Sequence, residues 1–183
     1  EHILLSYEFD GHGGGTPLSG DDVAKAAHDD RLAWVHLDVN HPETKNWLER
    51  EASYLEPTII KALLAEDTRP RITQIGEGVL LILRGVNLNE NAAPEDMVSI
   101  RLWIDQHRII SLRRRRLKAI RDIEDKIKQG QGPKDTGDFI SILTSRLFER
   151  MEPVLSELDE TTDNIEERLL EQADSTLRET IVN

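Results

Sequence analysis

Apolar and polar positions follow two different periods along this chain. In the first part the runs are short and strand-like. HILLSYEF (2–9) and LAWVHLDV (32–39) read as strands, the second by alternation. RITQI (71–75) and VLLILRGV (79–86) form a strand pair across a tight Gly-Glu-Gly turn, and MVSIRLWID (97–105) and RIISLR (108–113) form another across a turn near Gln106–His107. Three short helical patterns interleave with them. DDVAKAAH (21–28) has Asp21 or Ser19 as its expected N-cap, while PETKNWLEREA (42–52) and PTIIKALLAE (57–66) each put a proline where a first turn would start. About six strands with three short helices predict an α/β or α+β core.

The period then lengthens. LKAIRDIEDKIKQG (117–130) reads as a helix stopped by Gly130, and GQGPKDTG (130–137) as a loop. From Asp138 to the end the pattern is helical. Ile140, Leu143, Leu147, Met151, Val154, Leu158, Ile165 and Leu169 recur in threes and fours, with Thr161 filling one gap, as in a heptad seam. Pro153 is expected to kink or restart this helix. The predicted organisation is an α/β domain over residues 1–133 and a helical hairpin or stalk over 134–183.

Charge sharpens this division. The 183 residues carry a formal net charge of −12. Much of the acid lies on the last helix: from residue 149 onward Glu149, Glu152, Glu157, Asp159, Glu160, Asp163, Glu166, Glu167, Glu171, Asp174 and Glu179 are interspersed with only Arg150, Arg168 and Arg178. An acid excess argues against general nucleic-acid binding and against anionic membrane surfaces, and suits cations as partners. Cysteine is absent, which removes disulfides, thiolate metal sites and a cysteine nucleophile. No window approaches 18 consecutive apolar residues, so none of these segments is expected to span a bilayer. The chain opens at Glu1 without a methionine and runs out in a helical pattern at Asn183, so we expect a piece of a longer protein.

Four features could carry chemistry. His12-Gly13-Gly14-Gly15 spells a string that forms oxyanion holes in lipases, but no serine sits in the G-x-S-x-G elbow such a hydrolase needs. A glycine turn after the first strand accounts for it. His36 and Asp38 point to one face of a strand, with His41 nearby; they offer either a metal site or a polar strand end with a helix cap. Arg113–Arg116 with Lys118 and Arg121 form the one basic cluster, which either contacts phosphate or is a solvated junction paired with acidic neighbours. Asp159, Asp163 and Glu167 form an i, i+4 series of carboxylates that could hold a divalent cation, although any acidic helix offers that spacing.

One longer stretch is more specific. Thr68-Arg69-Pro70-Arg71, a strand, Gly76-Glu77-Gly78 and an apolar strand ending in Leu83-Arg84 resemble the cytoplasmic domain of the CorA superfamily of divalent-cation transporters. WVHLDVN (34–40) is similar to that family's W-x-H-L-[DN] strand, and residues 97–120 to its later hairpin and following helix. Residues 130–140 and 158–172 are similar to the loop and helices that lead to the membrane. The order and spacing of these segments cover nearly the whole chain. The magnesium-channel branch commonly has Glu-Asp in the helix before the Arg-Pro motif, one acid of which helps bind a regulatory Mg²⁺. Lys61 and Ala62 stand there in this sequence, so that site is not carried over. The remaining wording is more similar to the ZntB-type branch, associated with zinc.

The resemblance implies an α/β/α sandwich with a mixed sheet of about six or seven strands, followed by long acidic helices. It implies a homopentamer with divalent cations as partners, Zn²⁺ or Mg²⁺ as transported or regulatory ion, no tightly bound cofactor, no nucleic acid and no enzymatic activity. The domain would sit on the cytoplasmic face of the inner membrane, reached only through segments outside this sequence. There a Gly-x-Asn pore motif and two apolar helices of about 20 residues are expected. Arg69, Pro70, Arg71, Gly76 and Arg84 are its structural motif residues; the candidate cation ligands remain Asp159, Asp163 and Glu167, taken from their spacing. The competing class is a stand-alone soluble interaction or regulatory protein with an acidic helical hairpin.

Overall fold

The computed structural model describes residues 1–29, 31–66, 69–93 and 96–182, without the side chains of residues 27, 154–155, 157–159, 161–162 and 176–182. Seven strands make one sheet: β1 (Ile3–Phe9), β2 (Gly15–Pro17), β3 (Ala33–Asp38), β4 (Arg71–Ile75), β5 (Gly78–Gly85), β6 (Val98–Ile104) and β7 (Arg108–Arg113). Their order is β2-β1-β3-β7-β6-β5-β4. The run β4 to β7 is an antiparallel meander, β2-β1-β3 is a second antiparallel unit, and the two join through the parallel pair β3–β7. The mixed sheet of an α/β fold is thus present. Its seventh strand, β2, comes from the end of the glycine-rich stretch.

Helices cover both faces. One apolar cluster joins Val35, Leu37, Trp103, Ile110 and Leu112 of the sheet to Val23, Trp47, Leu48, Ile59 and Leu63, which lie on α1 (Asp21–His28), α2 (Glu43–Glu51) and α3 (Pro57–Leu64). The other joins Tyr7, Trp34, Ile100, Leu102 and Ile109 to Ile120, Ile123 and Ile127 of α4 (Lys118–Lys128) and to Phe139, Leu143 and Leu147 of α5 (Thr136–Val182). Burial on both sides explains why β3 does not alternate as expected: Ala33 to Leu37 are all buried, because a central strand covered twice has no wet face. The core runs past residue 133 into the first turns of α5.

Three local expectations are corrected. α1 is preceded by Gly20 with no side-chain cap, so neither Asp21 nor Ser19 caps it; Asp21 and Asp22 instead favour its N-terminus through the helix dipole. α5 begins at Thr136, two residues before Asp138, because Asp135 Oδ1 accepts the Asp138 N–H at 2.7 Å while Asp138 Oδ2 accepts the Lys134 N–H at 2.9 Å. Pro153 lies inside α5 and does not restart it; the helix is continuous to Val182.

Candidate functional site

α5 has two characters along its length. Its first turns bury Phe139, Leu143 and Leu147 against the sheet and α4. Polar contacts lock the same region. Asp122, in the middle of α4, accepts from Arg150 Nε and Nη2, both at 2.6 Å, and from Arg146 Nε at 3.2 Å. Arg146 also pairs with Glu149. Burial pushes the Asp122 carboxyl upward, but hydrogen bonds from Arg150 and Arg146 outweigh it and hold the group below the ordinary carboxylate range. Sequence reading missed this clamp, although arginines four apart at 146 and 150 were the available signal.

Farther along, the helix has no cover. Ile165 is 52% exposed, Leu169 60% and Leu170 68%, among the exposed acids Glu160, Asp163, Glu166, Glu167, Glu171 and Asp174. An apolar stripe this bare, on a helix this acidic, is a surface that can pack on another helix and attract cations. Of the proposed carboxylate series, Asp163 and Glu167 are exposed one turn apart, and the Asp159 side chain lies outside the described residues. Among the described residues no three His, Asp or Glu side chains converge as a metal site.

His36 and Asp38 do not form a metal centre. His36 is 2% exposed, its Nδ1 lies 2.7 Å from Ser111 Oγ, and Trp34 Nε1 donates to the same hydroxyl at 2.8 Å. Burial, with a smaller contribution from the nearby Arg113 charge, pushes its pKa down to about 3, so the ring is neutral. Asp38 Oδ1 accepts the Asn40 N–H, and His41 Nδ1 accepts the Glu43 N–H at the start of α2.

The glycine stretch is a turn. Asp10 Oδ1 accepts the N–H groups of His12 at 2.7 Å and Gly14 at 3.0 Å, and Gly13 O accepts the Gly132 N–H at 2.7 Å. The loop after β1 is thereby laced to the loop between α4 and α5. A Cβ on Gly13 would stand 2.5 Å from Gly130 O, so glycine is needed for backbone contact.

The motif residues occupy one edge of the sheet. Arg69, Pro70 and Arg71 are exposed at the start of edge strand β4, and Arg84 is exposed on β5. Gly76 takes φ +61° in the two-residue hairpin between β4 and β5, whose flanking pair is Ile75–Gly78. Gly78 leaves room for the Trp103 ring, whose Cζ2 would lie 2.1 Å from an added Cβ.

Among the described residues none of Arg113–Arg116 forms a close ion pair with a carboxylate, although Asp38, the partner of Arg113 across β3–β7, acts favourably on its charge. Arg113 and Arg114 are half-buried. Arg114 Nη2 donates to Leu64 O at 3.2 Å and Nη1 to Asn40 Oδ1 at 3.4 Å. Arg114 thus turns inward to the carbonyl of Leu64 at the C-terminal end of α3.

Comparison with known proteins bears on what this arrangement does. Residues 29–183 match the model of the family described as CorA-like Mg²⁺ transporter protein. The zinc transport protein ZntB of Pectobacterium atrosepticum is 36% identical over 167 residues, 91% of this chain and 50% of that protein. The divalent cation transporter CmaX of Pseudomonas aeruginosa is 37% identical, over 90% of this chain and 50% of that protein. A solved structure of full-length CmaX superposes with a TM-score of 0.83 and 37% identity, covering 91% of this chain and 51% of that one. The ZntB cytoplasmic domain from Vibrio parahaemolyticus superposes with a TM-score of 0.76 and 27% identity, covering 89% and 64%. The chain spans about half the length of the curated relatives it matches. No described helix is long and apolar enough to cross a membrane.

Proposed function

The chain belongs to the CorA-like Mg²⁺ transporter family, and from that premise we propose that it is the cytoplasmic domain of a homo-oligomeric divalent-cation transporter of the ZntB type. One observation carries this reading. α5 leaves a sheet domain resembling that of ZntB as a long acidic helix, with Ile165, Leu169 and Leu170 bare. In a pentamer around an axis, the arrangement the resemblance implies, the α5 helices of neighbouring copies would cover this stripe. Residues 1–133 would form the funnel wall and 134–183 the connection towards a pore, on the cytoplasmic face of the inner membrane. Transport needs no bond-making chemistry from these residues, so no enzymatic role is assigned.

The acids of α5 would draw cations to the funnel. A potential of about −1 kT per unit charge raises the local concentration of a divalent cation about sevenfold over bulk. Carboxylates alone take hard cations without choosing strongly between Mg²⁺ and Zn²⁺. The six histidines all lie at or before residue 107, so α5 offers a cation carboxylates and no imidazole. A cation held between carboxylates of adjacent α5 helices, Asp159, Asp163 and Glu167 among them, would also favour the subunit arrangement that brings them together, coupling occupancy to the gate.

The parent gene, read past the codon for Asn183, is expected to encode two apolar segments of about 20 residues, the first ending at Gly-x-Asn. A stop codon soon after Asn183 would replace the transporter with a soluble interaction protein. In liposomes the full-length protein is expected to accumulate Zn²⁺ or Mg²⁺. Unchanged uptake and metal binding after reversing charge at Asp159, Asp163 and Glu167 together would remove the coupling role.

A further inference from the structure

α5 changes its surroundings abruptly. Up to Leu147 it is buried against the sheet and α4, and Arg150 closes the contact on Asp122 through Nε and Nη2, both at 2.6 Å. Asp122 stands one turn from the start of α4 at Lys118, and α4 and α5 run antiparallel from their short connecting loop, so α4 gives out as cover just beyond the clamp. From Glu152 onward every described side chain is exposed. The helix itself goes on to Val182.

Pro153 sits at this boundary, just past the clamp. Proline has no N–H for the carbonyl four residues back, and its ring crowds that carbonyl. Here the carbonyl is that of Glu149, whose carboxylate is itself paired with Arg146. The hydrogen-bond ladder of α5 is therefore one bond short where the support of its neighbours ends. A proline in a helix covered along its length is held by its neighbours, whereas one at the root of an unsupported helix leaves the bend free to vary. Bending before Arg150 would break two charge-assisted hydrogen bonds to a half-buried carboxylate and uncover Leu143 and Leu147. Bending farther out would distort an intact ladder. The softest place lies between.

We propose that Pro153 is a hinge about which the far arm of α5 and the sheet domain change angle. The arm beyond it is about 43 Å long at 1.5 Å per residue, so a bend of about 20° at its root moves its end by about 15 Å. In an oligomer whose neighbours hold Ile165, Leu169 and Leu170, the same bend tilts each sheet domain against the helices. The hinge rests on packing and backbone chemistry within one chain, and it stands whether or not the transporter reading does.

Distances between paired spin labels test this in the whole chain, which has no cysteine of its own. Dilution with unlabelled protein removes distances between copies. Exposed positions are labelled in pairs through introduced cysteines: Gln74 with Glu171 spans the hinge, Gln74 with Ser145 ends before it, and Ser156 with Asp174 lies within the arm. The first distribution is expected to be broad and the other two narrow, the last centred at about 27 Å, the rise between its positions in a continuous helix. Pro153→Ala returns an N–H to the Glu149 carbonyl. It is expected to narrow the first pair to the width of the second and to leave the unfolding midpoint no lower. A narrow first pair in the wild type would overturn the proposal, as would breadth that Pro153→Ala leaves unchanged. So would a broad distribution within the arm, since the arm would then be fraying rather than turning as one piece.

Discussion

Gly13 has a φ of +98° and a neighbouring carbonyl, Gly130 O, where its side chain would go. Gly11 shares the left-handed backbone at φ +81° but has open space around it. The pair separates steric from conformational cost. Gly13→Ala is expected to destabilise the chain by about 2 kcal/mol and Gly11→Ala by about 1 kcal/mol, read from urea unfolding midpoints. His36 makes a different prediction. Below pH 6.5 the unfolded chain takes up a proton that the folded chain refuses until about pH 3. Stability from this group is therefore complete above pH 6.5 and lost as pH falls, by about 1.4 kcal/mol per unit. His36→Gln is expected to remove that slope between pH 6.5 and 5.5 from unfolding free energies; an unchanged slope would place the proton uptake elsewhere. His-x-Asp on one strand face reads as a ligand pair or as a polar strand end with a helix cap. Only the helices packed over β3 exclude the first.

At the scale of elements, α4 and α5 are held by an apolar seam and one ionic clamp. Ile120, Ile123 and Ile127 pack in one core with Phe139, Leu143 and Leu147; Leu143 and Leu147 belong to the seam read from the sequence, whereas Phe139 rather than Ile140 is its fully buried start. The clamp at Asp122 was not legible there, because an ion pair between residues 122 and 150 depends on how two helices are set side by side. Asp122→Asn keeps the shape and removes the charge from two half-buried arginines. It is expected to cost about 2 kcal/mol at pH 7, with the loss shrinking in acid as the wild-type carboxyl itself protonates. Thermal unfolding at pH 7 and pH 3 would show this; an equal loss at both would mean the carboxylate charge is not what holds the helices. Pro153 shows the opposite failure of local reading. A proline predicts a break, yet tertiary packing of the preceding turns and the long run after it carry α5 through.

For the whole molecule, the question is what covers the far end of α5. Replacing Leu169 and Leu170 by lysine is expected to lower self-association of the full-length protein in analytical ultracentrifugation, while leaving the sheet domain's unfolding midpoint unchanged. Association that survives the double change would mean that other surfaces hold the subunits. The family motif was legible here because turns and strand ends are local: Gly76 and Gly78 are fixed by a hairpin and by the Trp103 ring above it. The contact of buried Arg101 with the Ala65 carbonyl was not, since residues 65 and 101 meet only in the folded sheet.

Taken alone, the sequence determined the order and kind of the elements apart from β2, the acidity of the last helix, and the family resemblance. Each depends on residues near one another in the chain, through periodicity, turn chemistry or charge. Tertiary structure decided which of those residues are buried. It made His36 a neutral core group, Asp122 a clamp, the glycine stretch a backbone contact, and Arg101 a buried charge that donates to the Ala65 carbonyl and has no carboxylate partner among the described residues. The physical reason is the same in each case. Desolvation and hydrogen-bond pairing depend on what lies across the sheet or along the next helix, and the chain does not write those neighbours side by side.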